Sequence, residues 1–74
     1  MIDANGRPIT KAALKGHLAT YNAGVRGSRE FMALPRALVI VLDNLAVGKT
    51  TYLKCQDGQV QVSRGKDRLI ASSL

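Results

Sequence analysis

The chain has 74 residues, a formal net charge of +6 at pH 7, and 46% hydrophobic but only 4% aromatic residues. This length supports one hydrophobic core, and the share of apolar side chains excludes a disordered chain. The sequence therefore predicts a single domain over residues 1–74. One cysteine excludes an internal disulfide, and the longest apolar run, residues 37–42, is far shorter than the roughly 20 residues that span a bilayer. With no basic-then-apolar leader, these features favour a cytoplasmic protein without membrane contacts.

The first predicted element after a polar, flexible arm at residues 1–8 is a helix. Thr10 is a typical N-cap residue. The apolar positions that follow recur at helical spacing: Leu14, Leu18, Tyr21 and Val25. Two glycines within residues 22–27 should end this helix.

A second, short helix is expected from Ser28, and it should stop before Pro35, which lacks an amide donor and disfavours helical geometry at Leu34. The next segment, residues 37–42, contains three consecutive β-branched residues and no polar position. Its short length and branching favour a strand buried on both faces. A buried helix is the alternative, since four leucines recur at nearly helical spacing. They are Leu34, Leu38, Leu42 and Leu45.

A hairpin is predicted over residues 50–64, with Asp57-Gly58 as its two-residue turn. Pairing outward from that turn sets Cys55 opposite Val60 and Leu53 opposite Val62. These four side chains would then share one apolar face, and polar side chains would occupy the other. A second turn at residues 63–67 leads to a short strand at residues 68–71. The sequence thus predicts an α+β fold, in which one or two N-terminal helices cover a small antiparallel sheet of three to four strands.

The sequence contains no recognisable set of residues for catalysis, metal binding or cofactor binding. His17 has no ligand-type residue three or four positions away, and Cys55 falls on the apolar hairpin face. Residues 47–50 resemble the end of a phosphate-binding P-loop, but Asp43 stands where that loop needs its first glycine. We therefore expect no enzyme activity, no metal and no cofactor.

The basic balance favours a nucleic-acid partner, DNA or RNA. The polar hairpin face offers a ring for stacking, a cation and several amides, and a basic turn follows it. The predicted binding residues are Lys54, Arg64, Lys66, Arg68 and Tyr52, with Lys11 and Lys15 as further phosphate contacts. A helix-turn-helix is disfavoured, because residues 22–27 exceed the usual turn and Pro35 interrupts the second helix.

The sequence thus indicates a small, non-catalytic nucleic-acid-binding or regulatory protein. The alternative is a protein-interaction module, such as a small inhibitor or accessory subunit, that docks on a larger acidic protein. Since so short a chain has a small core, self-association into a homodimer is also an expectation.

Overall fold

The computed structural model describes residues 7–73, which form three helices followed by a three-stranded antiparallel sheet of order β1-β2-β3. The elements are α1 (Lys11–Ala23), α2 (Arg29–Met32), α3 (Arg36–Asp43), β1 (Thr50–Cys55), β2 (Gly58–Arg64) and β3 (Leu69–Ser73). The predicted α+β fold with a hairpin is confirmed, although with three helices instead of one or two. Most of the predicted N-terminal arm, residues 1–6, lies outside the described residues.

Helix α1 begins and ends at the predicted signals. The Thr10 hydroxyl accepts a hydrogen bond from the Ala13 amide at 3.1 Å. The Asp57 carboxylate accepts another from the Lys11 amide at 2.8 Å, so the hairpin turn caps the same helix. Gly24, with φ of 74°, ends the helix in the left-handed conformation that glycine adopts at little cost. Val25 lies beyond this end and is exposed, so it does not extend the buried stripe.

The prediction of a strand over residues 37–42 is wrong, because this segment forms α3. Helical geometry places Leu38 and Leu42 on one face, where both are fully buried, and turns Ile40 outward. A central strand needs cover on both faces, and the sheet has helices on only one. A β-branched residue makes a helix less stable by only a few tenths of a kcal/mol relative to alanine. Burying each leucine stabilises the fold by roughly 1.5–3 kcal/mol, which outweighs that cost.

The predicted hairpin register is also wrong, by two residues. Leu53 pairs with Val60 instead of Val62, and Cys55 pairs with Gly58, so the turn is Gln56-Asp57. A turn centred on Asp57-Gly58 needs positive φ at both positions, and in residues 7–73 only glycines have positive φ. Asp57 instead holds the N-terminus of α1, while Gly58 takes φ of 135°.

A shift of two residues preserves the side-chain faces, so the predicted apolar face is confirmed. Its residues are Leu53, Cys55, Val60 and Val62, all buried. They pack in one cluster with Leu14, Leu18 and Tyr21 of α1, as well as Phe31 and the α3 leucines. The helices therefore cover one face of the sheet, and residues 7–72 bury no polar or charged residue.

The sheet edge formed by β3 is tied to α1 by one side-chain amide. Asn22 donates a hydrogen bond to the Leu69 carbonyl at 3.0 Å and accepts one from the Leu69 amide at 2.7 Å. Both backbone groups of the first β3 residue are thereby satisfied by a helix residue. This contact fixes the start of β3 against the last turn of α1.

Replacing Leu18 by Ala should lower the free energy of unfolding by about 2–5 kcal/mol, because Leu18 is buried in the cluster between α1 and the sheet. A reversible denaturant titration measures the change. Val47→Ala is the control, since Val47 is exposed and should change stability by less than about 0.5 kcal/mol. A Leu18→Ala effect as small as that of the control would contradict the packing described above.

Candidate nucleic-acid interface

The side of the sheet that faces away from the helices forms an open surface, here called the outer sheet face. Its side chains alternate with the buried ones along each strand. They are Thr50, Tyr52, Lys54, Gln59, Gln61, Ser63, Ile70 and Ser72. Tyr52, Lys54, Gln59 and Ile70 are exposed, and Gln61 and Ser63 are half-buried. The polar hairpin face expected from the sequence is therefore present, and Ile70 and Ser72 of β3 extend it.

Three cations gather at one end of the outer sheet face. Lys66 and Arg68 lie exposed in the turn between β2 and β3, which is closed by a hydrogen bond from the Gly65 amide to the Arg68 carbonyl. Lys49 joins them from the loop before β1, because its carbonyl accepts a hydrogen bond from the Arg64 amide. Sequence reasoning missed Lys49, although its position one residue before β1 places it beside the end of β2 in any hairpin of this kind.

The other predicted cations lie toward the opposite end of the sheet. Lys54 pairs with Gln59 next to the hairpin turn, and the Lys11 side chain lies over Gly58, where an added Cβ would come within 3.3 Å of its Nζ. Lys15 is exposed one turn further along α1. Since β2 rises about 3.3 Å per residue, the two basic groups are about 20 Å apart. The structure thus places Lys54 at one end of the sheet and Lys66 and Arg68 at the other, while Lys11 and Lys15 belong to α1.

Arg64 has a different environment from its predicted partners. Its Nε donates to the Leu45 carbonyl at 2.6 Å, and its Nη2 donates to the Leu42 carbonyl and, at 3.2 Å, to the Tyr21 hydroxyl. The guanidinium therefore caps the C-terminal end of α3. Strand parity was the signal for this orientation, because Arg64 lies two residues after the buried Val62 and so points to the same side.

A polar cluster next to Arg64 joins α1, α3 and the loop after α1. The Tyr21 hydroxyl donates a hydrogen bond to Asp43 Oδ1 at 2.5 Å. Arg26 binds both carboxylate oxygens of Asp43, with Nη2 at 2.7 Å from Oδ1 and Nη1 at 3.2 Å from Oδ2. The Arg26 guanidinium also lies 5.1 Å from the Phe31 ring centroid. Hydrogen bonds from Arg26 and then Tyr21 lower the pKa of Asp43 to about 2. The carboxylate is therefore ionised and serves to connect these elements.

Other candidate reactive residues have structural environments. Burial raises the pKa of the Cys55 thiol, which keeps it in the unreactive protonated form. Gly48, with φ of 82°, lies in a tight turn, and its amide donates a hydrogen bond to the Arg64 carbonyl at 2.8 Å. Residues 47–50, which resemble the end of a P-loop, therefore form the turn that leads into β1. In the part of the chain that the structure describes, no group of three or more metal-ligating side chains occurs. No helix within residues 7–73 has the length and apolar character needed to cross a membrane.

Neither a protein-family model, nor a curated protein, nor a solved structure matches this chain.

Replacing Arg64 by Ala should destabilise the fold by about 1–3 kcal/mol, because it leaves the Leu42 and Leu45 carbonyls without this donor. Chemical denaturation measures the loss. Lys66→Ala and Arg68→Ala remove the same charge from exposed positions and should change stability by less than about 0.5 kcal/mol. Equal effects at all three positions would contradict the capping role of Arg64.

Replacing Arg26 by Gln should raise the pKa of Asp43 from about 2 toward its ordinary value of 3.8. Carboxyl NMR signals followed against pH measure the shift, with Arg29→Gln as a charge-matched control. Because the folded-state pKa is depressed, the Asp43 contribution to stability is present above pH of about 4 and is lost as the pH falls toward 2. An unchanged Asp43 pKa in Arg26→Gln would show that another group holds the carboxylate ionised.

Proposed function

We propose that this protein binds nucleic acid through the outer sheet face and the cations at its two ends, without a chemical step. The observation that carries the proposal is the charge distribution of the sheet. No acidic residue occurs in β1, β2 or β3, whereas Lys54 lies on the outer face and Lys49, Lys66 and Arg68 border it. Asp57 and Asp67 lie exposed in the two turns that border the face, so four cations stand against two carboxylates. That excess of positive charge on an open surface favours a polyanion.

Phosphate contacts would come from the two ends of the face. Lys66 and Arg68 are exposed on one turn, and Arg68 can present a planar fork of donors to a phosphate. Lys54 lies about 20 Å away, a separation that several nucleotides would bridge. Lys11 would add charge at that end from the helix-covered side, where its side chain lies over Gly58. Arg64 is left out of this set, because its guanidinium is engaged with α3 carbonyls and Tyr21.

Base contacts would come from the middle of the face. Tyr52 pairs with Gln61 across β1 and β2, and the residue is 56% exposed, which favours stacking of its ring on an unpaired base. Gln59 and Gln61 supply amides that can donate to and accept from base edges. A single accessible ring, flanked by amides and cations, favours single-stranded RNA or DNA over a duplex, because stacking requires an unstacked base.

The same cations would also suit an acidic protein surface, which is the alternative function. The two partners differ in what Tyr52 contributes, since stacking on bases is specific to nucleic acid. If the protein binds acidic proteins and no oligonucleotide, its function is protein interaction and not nucleic-acid binding.

Binding to single-stranded oligonucleotides should weaken steeply with salt, with a slope of about −0.7 per neutralised phosphate on a double-logarithmic plot. The triple variant Lys54→Gln, Lys66→Gln, Arg68→Gln should flatten that slope by up to about two units, and Tyr52→Ala should weaken binding by about 1–3 kcal/mol. Fluorescence anisotropy at several salt concentrations measures both, with duplex DNA and duplex RNA as comparison ligands.

The matched control compares Arg68→Gln with Arg29→Gln, which remove the same charge from two exposed positions. Only the Arg68 change should alter the slope, because Arg29 belongs to α2 and lies outside the outer sheet face. Equal effects would indicate attraction by net charge alone. No binding by the unaltered protein to any nucleic acid at low salt would refute the proposed function.

A further inference from the structure

A groove between α2 and α3 exposes apolar side chains away from the outer sheet face. It has a volume of about 320 Å³ and is lined by Phe31, Met32, Leu34, Arg36, Val39, Ile40 and Asp43. Met32 is 73% exposed and Ile40 is 54% exposed, so both project from the surface beside the groove that they border. A projection and a cavity in one patch are what a self-complementary contact requires, because a twofold partner supplies both.

The α3 side of this groove has a symmetric pattern of charge. Its residues follow helical spacing of 0, 3, 4 and 7: Arg36, Val39, Ile40 and Asp43. We name them the α3 stripe. The apolar pair lies in the middle, and opposite charges lie at the two ends, about 10 Å apart along the helix axis.

We propose that a second copy of this chain docks on the groove, with the two α3 helices antiparallel about a twofold axis between Val39 and Ile40. Antiparallel pairing about that point sets Arg36 of each copy opposite Asp43 of the other, and Ile40 opposite Val39. A parallel arrangement would instead bring like charges together. The pattern of the α3 stripe thus selects both the occupant and its orientation.

Both charged ends of the α3 stripe are able to form this contact. Arg36 is exposed, and it makes no hydrogen bond or ion pair with another residue that the structure describes. Asp43 already receives two hydrogen bonds on Oδ1 and one on Oδ2, which leaves Oδ2 capacity for a donor from the partner. The Asp43 side chain is 39% exposed, so the carboxylate is accessible from outside.

The association should be weak. An eight-residue helix is about 12 Å long, so the contact falls at the small end of specific interfaces, and the +6 charge of each copy opposes it at long range. At physiological salt the Debye length is about 8 Å, which screens that repulsion more than the close Arg36–Asp43 contacts. This inference is independent of nucleic-acid binding, since it uses the other side of the molecule.

Sedimentation equilibrium from about 10 μM to about 1 mM should show the mass rising from the 7.9 kDa of one chain toward twice that value. Ile40→Lys should keep the protein monomeric throughout this range, because it places a charge at the centre of the contact. Val47→Lys is the control, since Val47 is an equally exposed apolar residue outside the groove. A monomeric unaltered protein, or association that survives Ile40→Lys, would overturn the proposal.

The orientation is tested by charge and by cross-linking. Arg36→Glu would face Asp43 of the partner and should abolish association, whereas Arg29→Glu, with the same change in charge, should not. Ile40→Cys should form an oxidised dimer across the twofold axis, and Val47→Cys, exposed outside the groove, should not. Equal cross-linking of Ile40→Cys and its control would exclude the antiparallel α3 contact. A dimer that is unaffected by Arg36→Glu would exclude it as well.

Discussion

The inward orientation of Arg64 connects the sheet to two of the helices. From the end of β2 its guanidinium reaches two carbonyls near the end of α3 and the hydroxyl of Tyr21 on α1. Tyr21 in turn holds Asp43, which Arg26 also binds. The sheet, the first helix and the third helix therefore meet in one hydrogen-bonded cluster. In a chain with a small core, such a cluster fixes positions that apolar packing leaves free.

This cluster also leaves different basic side chains for the two surfaces whose functions we propose. It uses two of the eleven basic side chains, Arg26 and Arg64, for internal contacts. The cations at the two ends of the outer sheet face remain for a polyanion, and the α3 stripe lies on the helical side. Asp43 belongs both to the cluster and to the stripe, so a partner that binds Asp43 would act on the same group that holds α1 and α3 together.

Features that depend on neighbouring residues were predictable from the sequence. Features that depend on contacts between distant parts of the chain were not. Thr10 and Ser28 cap their helices as expected, because an N-cap needs only neighbouring amides. The faces of the hairpin were predicted and its register was not, since the Asp57 carboxylate binds an amide 46 residues away. Residues 37–42 form a helix because burial of Leu38 outweighs β-branched propensity. In the candidate site, the Lys66–Arg68 turn was evident, but Arg64 and Lys49 required the strand pairing.

The Asn22 amide has a consequence for how this sheet meets other chains. Outward-facing amide and carbonyl groups on an edge strand are a template for strand addition, and charged residues usually protect such edges. Strand β3 has no charged residue. Asn22 occupies both backbone groups of Leu69 and so takes the place of a neighbouring strand at that position. An intruding strand can begin to pair only beyond Leu69, which shortens the available edge and limits templated aggregation.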